Sequence, residues 1–261
     1  MMEDPVLYAV EGGIATVRLN RPAAHNALDR ATGEALIACM KQAASDASAR
    51  VVVLAADGPT FSAGGDFNWV LGWPKLSSQE QHDGAKLLSD AVQAIYDLPK
   101  PSIARVQGAT VGGGIGMMLA CDYAVVADNT RFGLTSVRNG LLAGIAIPEL
   151  IQALGARKAR QLLLHGGIMP ADQALEIGLV DRVVPAALLD EEVQDLAYEL
   201  KQGAPTVQAL IKRLVTEFSV AARDEKIAAR IADEVAAQCT TPDAGEGMSA
   251  FLQKRKAAWT K

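Results

Sequence analysis

Gly108-Ala109-Thr110-Val111-Gly112-Gly113-Gly114-Ile115-Gly116 puts five glycines within nine residues, after the apolar run Ser102–Val106 and before Met117–Ala120. A five-residue apolar run is short for a helix and suits a strand covered on both faces. Val51–Ala55 and Tyr123–Ala127 read the same way. The glycine run is therefore a strand-to-helix turn, where missing side chains let a ligand approach the backbone. Tight packing alone is the alternative for any single glycine, and five together weaken it. A second stretch, Phe61-Ser62-Ala63-Gly64-Gly65-Asp66, follows the strand that ends at Ala55.

Outward from these turns, strands and helices alternate. Val6–Val10 and Ile14–Leu19 form a hairpin across Gly12-Gly13. Leu28, Ala31, Ala35, Leu36, Cys39, Met40 and Ala43 recur at helical spacing. So do Leu87, Leu88, Ala91, Val92 and Ile95, with Pro99 and Pro101 stopping the helix. Strands alternating with helices predict an α/β core over residues 1–185. From residue 186 helical periodicity dominates, through Leu210, Ile211, Leu214 and Phe218, then Ile227, Ile231 and Val235. A helical C-terminal region over 186–261 is expected to close over the core or to pack against another subunit.

Composition narrows the function. Half of the 261 residues are hydrophobic, enough for one sizeable core. The 25 basic and 30 acidic residues give a net charge of −5, so no general affinity for nucleic acid or anionic membrane is built in. Cys39, Cys121 and Cys239 lie far apart with no CxxC pair, which argues for a reducing compartment. Met1-Met2-Glu3-Asp4-Pro5 lacks a basic start with an apolar run, and Ile115–Ala127 is interrupted by Asp122 and short for a bilayer. A soluble cytoplasmic protein is expected.

Several chemistries are absent from the sequence. A GxGxxG begun at Gly112 or Gly114 meets Met117 or Leu119 where its third glycine belongs, and there is no GxxxxGK[ST]. Neither GxSxG nor HExxH occurs. His25, His82 and His165 have no ligand spacing, so no metal site is expected. What remains is amide donation. A bare N–H at the start of a Gly114–Ala120 helix has the helix dipole behind it, and one from Gly65 is able to converge on the same point. Two such donors suit a carbonyl that gains negative charge.

At these residues the sequence resembles the crotonase superfamily, the enoyl-CoA hydratase/isomerase family. The resemblance includes Asn20-Arg21-Pro22 with Asn26-Ala27-Leu28, the Phe61–Asp66 stretch, and Pro99-Lys100-Pro101. It continues through Gly112–Gly114 with Ala120-Cys121-Asp122, Arg131-Phe132-Gly133, Ala171–Gly178 with Leu179-Val180, and Glu246–Lys256. It implies a spiral of ββα units with a helical C-terminal region, assembled as a homotrimer or a dimer of trimers. It implies an acyl-CoA ligand, with no cofactor beyond that thioester, whose carbonyl oxygen sits between the amides of Gly65 and Gly113. Ala63, Asp66, Phe67 and Val111 match positions lining the acyl and pantetheine channel, and Ala24 matches a segment near the nucleotide. Lys254 matches a position near CoA, often at a neighbouring subunit's site. Lys254, Arg255, Lys256 and Lys261 suit the nucleotide phosphates, with a solvated tail as the other reading.

The sequence departs from the family at its acid–base positions. The resemblance places one hydratase glutamate at Gly116 and the other at Ser136, and an aspartate of certain isomerases near Gly144. General acid–base groups contribute about 10²–10⁴-fold each, so efficient hydration is not expected. Restoring glutamate at both Gly116 and Ser136 is expected to raise it, modestly, if the pocket is otherwise intact. Asp66, His82 with Asp83, Arg138 with Asn139, and Thr135 with Ser136 are the alternative polar groups. An isomerase- or decarboxylase-like enzyme acting through an enolate and a catalytically deficient acyl-CoA-binding protein both remain open.

Overall fold

Every residue of Val51–Ala56 is buried, as a continuous apolar run must be when both faces of its strand are covered. The computed structural model describes residues 4–219 and 225–260. The strands are β1 (Val6–Glu11), β2 (Ile14–Leu19), β3 (Val51–Ala56), β4 (Thr60–Ser62), β5 (Ser102–Val106), β6 (Ala109–Val111), β7 (Tyr123–Ala127), β8 (Arg131–Gly133), β9 (Ile168–Pro170) and β10 (Arg182–Val184). The helices are α1 (Arg30–Ser45), α2 (Phe67–Val70), α3 (Ser78–Tyr96), α4 (Gly113–Leu119), α5 (Ile147–His165, kinked at Gly155), α6 (Ala171–Glu176), α7 (Leu189–Leu200), α8 (Pro205–Ser219), α9 (Glu225–Cys239) and α10 (Pro242–Leu252).

Two sheets are wound together. The first has the order β1-β2-β3-β5-β7-β10 and the second β4-β6-β8-β9. Successive pairs β3-β4, β5-β6 and β7-β8 each send one strand to each sheet before a helix follows. This is the expected ββα spiral. β1 with β2 and β8 with β9 pair antiparallel, and all other neighbours are parallel.

Alternate side chains of the first sheet enter two cores. Val52, Leu54, Ala104 and Val126 face α1, α3 and α4, where Leu36, Met40, Val92 and Met117 are buried. Ile14, Val51, Val53, Ile103 and Val125 face Leu189, Val193, Leu196 and Ala197 of α7. The expected boundary at 185/186 thus falls before a helix that supplies one layer of the sheet's core. Each buried aliphatic side chain contributes about 1.5–3 kcal/mol, so α7 accounts for a stabilisation comparable with that of a whole domain. A chain ending at residue 185 is expected to be insoluble or aggregated, checked by the soluble fraction and by light scattering.

Beyond α7 the helices cover less. Leu210, Leu214 and Phe218 are half-buried, whereas Ile211, Val215, Phe251 and Leu252 are exposed on the single chain. The side chain of Ile227 and all of Lys261 lie outside the described residues. Arg50 holds the C-terminal end, donating from Nη1 to the Trp259 carbonyl at 2.7 Å and from Nη2 to the Gly203 carbonyl at 2.8 Å. Among the described residues no helix is long and apolar enough to cross a membrane.

Candidate functional site

β4, β6 and β8 run parallel and side by side, so the turns that follow them emerge at one edge of the second sheet. Ligands of α/β proteins gather at the carboxyl ends of parallel strands for this reason. Ala63-Gly64-Gly65 follows β4, Gly112-Gly113 follows β6, and Leu134-Thr135-Ser136 follows β8. The edge opens into a cleft of about 630 Å³, walled by these turns, by α3 and by Leu141–Ile145.

The first turn is held by buried polar groups. Asn26 is fully buried; its Nδ2 donates to the carbonyls of Asp57 (2.8 Å) and Thr60 (2.7 Å), and its Oδ1 accepts from Arg21 N–H at 2.8 Å. Ser62 Oγ donates to the Asn26 carbonyl at 2.8 Å and accepts from Gly64 N–H. Leu28 N–H donates to the Gly64 carbonyl and Asp66 N–H to the Leu28 carbonyl. These bonds clamp the backbone on both sides of Gly65. Among the described residues, the N–H of Gly65 is itself in no hydrogen bond.

The second turn needs its glycines. Gly112, at φ 50° and ψ −112°, caps α4 in a conformation closed to other residues. Gly113 then opens α4, and among the described residues its N–H is also unengaged, as at any helix start without a capping side chain. Gly114 lies against β4: a Cβ there would come within 2.9 Å of the Ser62 carbonyl oxygen. The two turns touch, since a Cβ on Gly64 would lie 2.8 Å from Val111 O and 3.3 Å from Gly113 N. Two free amides on adjoining turns, one with the α4 dipole behind it, can hydrogen-bond an oxygen that becomes anionic.

Ala63, Gly65, Phe67, Val111, Gly113 and Ser136 all line this cleft. Asp66 does not. It is buried behind the wall, where Oδ1 caps α2 through Asn68 N–H at 3.0 Å and Oδ2 pairs with Arg21 Nη2 at 3.2 Å. The same guanidinium reaches Asp29 at 3.0 Å and the Ala27 carbonyl at 2.7 Å. Both oxygens of Asp66 are thus occupied in bracing the turn. Ala24 lies in the short Pro22–Ala24 helix outside the cleft wall, and Lys254 is exposed after α10. Neighbouring Arg255 forks onto Glu246 at 2.6 and 2.8 Å.

Among the described residues no carboxylate lines the cleft. Its polar side chains are His82, Lys86 and Ser89 on one face of α3, with Thr135 and Ser136 opposite. Lys86 Nζ is paired with Asp90 at 2.6 Å. Asp83, one helical position from His82, accepts from Gln79 instead and is not part of the wall. Gly116, one turn into α4, faces the backbone of the Gly144–Ala146 turn: a Cβ there would lie 2.9 Å from Ile145 O and 3.3 Å from Ala146 Cα. Main chain fills the space beside it, so a side chain at Gly116 requires the Gly144–Ala146 turn to shift.

A model of the enoyl-CoA hydratase/isomerase family matches residues 9–261. The chain belongs to the enoyl-CoA hydratase/isomerase family. It is 32% identical over 250 residues to the 2,3-dehydroadipyl-CoA hydratase of Escherichia coli strain K12, covering 93% of each chain. It is 30% identical to the crotonyl-CoA hydratase of Syntrophomonas wolfei, with 98% of each covered. Among solved structures, an enoyl-CoA hydratase from Mycobacterium smegmatis superposes with a TM-score of 0.91 at 32% identity, covering 99% of this chain and 100% of the other. One from Shewanella pealeana gives 0.93 at 27% identity, covering 98% and 96%. The crotonase fold and a CoA-thioester chemistry follow from membership.

Glu149, near the start of α5, is a carboxylate the sequence reading passed over. It opens onto a separate cavity of about 280 Å³, with Asp122 and Lys212 in its wall. Its Oε2 is buried without a partner, and burial pushes its carboxyl above the usual carboxylate range. A raised folded-state value favours the fold below the unfolded value of about 4.5 and loses that advantage as pH rises through the folded value. Glu149→Gln is therefore expected to stabilise the protein at neutral pH by on the order of 0.5–1 kcal/mol, kept small because the side chain is half-exposed. A thermal melt about 2 °C higher at pH 7, with the gain shrinking towards pH 4, checks this.

Proposed function

We propose that the protein binds an acyl-CoA in this cleft, holds the thioester oxygen with the amides of Gly65 and Gly113, and stabilises an enolate. The reaction is isomerase- or decarboxylase-like, and hydration is slow. The observation that carries this reading is the pairing, among the described residues, of two unengaged amides with a wall that contains no carboxylate. Adding water across a double bond needs a base for the water and an acid for the α-carbon. The wall offers one imidazole, two further hydroxyls, an ion-paired amine and Ser136. Decarboxylation demands less. The bond between Cα and the leaving carboxylate breaks, its electron pair becomes the enolate, carbon dioxide departs, and a proton reaches Cα afterwards. Isomerisation of a 3-enoyl thioester removes a proton from Cα, forming the enolate, and returns one to Cγ, which a single imidazole can serve.

The filled space beside Gly116 favours a second reading, a protein that binds acyl-CoA without turning it over. Three thioesters separate these readings. Crotonyl-CoA reports hydration, a 3-enoyl-CoA reports isomerisation, and a malonyl-type thioester reports release of carbon dioxide. Conversion of either of the last two faster than crotonyl-CoA is expected. Hydration at a rate ordinary for the relatives overturns the proposal, and tight binding with no conversion selects the second reading. Assembly as a trimer or a dimer of trimers is part of the proposal, supported by the exposed Ile211, Val215, Phe251 and Leu252. Light scattering of the intact chain tests it.

A further inference from the structure

One guanidinium touches both sides of the short ladder that carries Gly65. Leu28 and Gly65 face each other as a parallel bridge, with Leu28 N–H donating to the Gly64 carbonyl at 2.7 Å and Asp66 N–H to the Leu28 carbonyl at 2.9 Å. Arg21 holds the residue before Leu28 and the residue after Gly65. Its Nη1 donates to the Ala27 carbonyl at 2.7 Å, and its Nη2 pairs with Asp66 Oδ2 at 3.2 Å. Arg21 itself is outside the cleft wall, so any effect it has on a bound thioester passes through the turn.

The guanidinium is fixed from further directions. Arg21 N–H donates to Asn26 Oδ1 at 2.8 Å, and Nη1 also pairs with Asp29 Oδ2 at 3.0 Å. Asp29 caps α1 by accepting from Thr32 N–H at 2.8 Å, as Asp66 caps α2 through Asn68 N–H. A single planar cation therefore ties the starts of two helices to the ladder between them, a forked contact that a point charge does not reproduce. Asp66 is 8% exposed, so loss of the guanidinium would leave one oxygen of a buried carboxylate without its partner. The Gly65 amide makes no internal bond of its own, and its direction is set by these neighbours alone. A donor stabilises a developing charge only while it is held in the productive geometry.

We infer that Arg21 is a positioning residue for the Gly65 amide, acting through Ala27 and Asp66 without touching the thioester. The inference rests on the cleft polarising a thioester carbonyl, and the experiment separates the two. Cinnamoyl-CoA, whose absorption reports polarisation, and free CoA, which has no carbonyl, are titrated into the full chain. The variants are Arg21→Met, Asp66→Asn and the two combined, with melting curves for each. Asparagine keeps the cap on α2 while removing the charge that faces Arg21. In Arg21→Met the long-wavelength shift of bound cinnamoyl-CoA is expected to fall to about half or less. Its affinity is expected to drop about tenfold, with free CoA bound within about twofold of wild type. Asp66→Asn is expected to show the same selective loss, and the combined variant to lose no more than Arg21→Met alone, because both changes break one linkage. Should one single variant fail to fold, the other carries the comparison. A full shift in a folded single variant overturns the positioning role. So does a loss of free-CoA affinity in step with the shift, which marks a merely structural part, or losses that multiply in the combined variant. A wild type that binds cinnamoyl-CoA with no shift overturns the polarising cleft instead.

Discussion

Gly65→Pro is expected to remove the capacity of the cleft to polarise a thioester, with a loss of about 10²–10³-fold in turnover of whichever thioester proves to be a substrate. Proline deletes the N–H and adds a ring. The Gly65 amide is in no hydrogen bond among the described residues, and an added Cβ there meets nothing within 4 Å. The change therefore removes the donor without removing an internal bond, and its Cβ enters open space. Gly65→Ala is the control: it keeps the N–H and places a methyl group in open space, so its effect is expected to be several-fold at most. A chromophoric enoyl thioester such as cinnamoyl-CoA gives a reading that does not depend on turnover. Its absorption is expected to move to longer wavelength on binding to wild type and to Gly65→Ala, but not to Gly65→Pro. A full shift in the proline variant would remove Gly65 from the oxygen-binding role. Gly113 is the poorer target, because a Cβ there already meets Ile145 Cδ1 at 2.6 Å and any side chain confounds packing with chemistry.

Crotonyl-CoA hydration by the wild-type protein is expected to fall below that of a two-glutamate enzyme by at least the 10²–10⁴-fold carried by one acid–base group. The two substitutions that would restore glutamates are expected to behave differently. Ser136 lines the cleft, so Ser136→Glu brings a carboxylate into the wall and is expected to raise hydration. The gain stays modest, because nothing nearby is arranged to hold that carboxylate at hydrogen-bonding range. Gly116→Glu forces Cβ within 2.9 Å of the Ile145 carbonyl oxygen and against Ala146, which is fully buried. Overpacking of this kind costs about 1–3 kcal/mol or more, and here the obstacle is backbone. Gly116→Glu is expected to lower the melting temperature by several degrees and to leave hydration no faster than wild type. Rapid hydration by Gly116→Glu at unchanged stability would mean that the Gly144–Ala146 turn moves aside.

The long strands were legible because of how they are buried. β5 and β7 run over the residues their apolar patterns mark and β3 extends one residue further, since a strand covered on both faces leaves a continuous apolar run, whereas β1 and β2 were marked by the hairpin turn at Gly12-Gly13. α1 and α3 followed from their repeats, although α3 begins at Ser78, nine residues before the first leucine of the pattern, where Ser77 and Glu80 form a capping box. The strands β4, β6, β8, β9 and β10 left no such trace. Each has three residues, too few to establish a period, and β6 lies within the glycine run itself. Yet β4, β6 and β8 bring the three turns to one edge, so the second sheet that assembles the site was the part not visible in the pattern.

For the site, the sequence by itself determined that two glycine-rich turns present bare amides, since only glycine tolerates φ 50° with ψ −112° at residue 112 and the approach to Ser62 at residue 114. It also determined family membership, because those turns recur in order with the surrounding Asn, Arg, Asp and Phe-Gly positions. Tertiary structure alone decided that Asp66 braces the turn through Arg21 and that Ile145 and Ala146 occupy the space beside Gly116. Each of these joins side chain or backbone from segments far apart in the chain. A local pattern records which conformations a segment can adopt and which face it must bury, but the neighbour that arrives at that face is set by the packing of the whole fold.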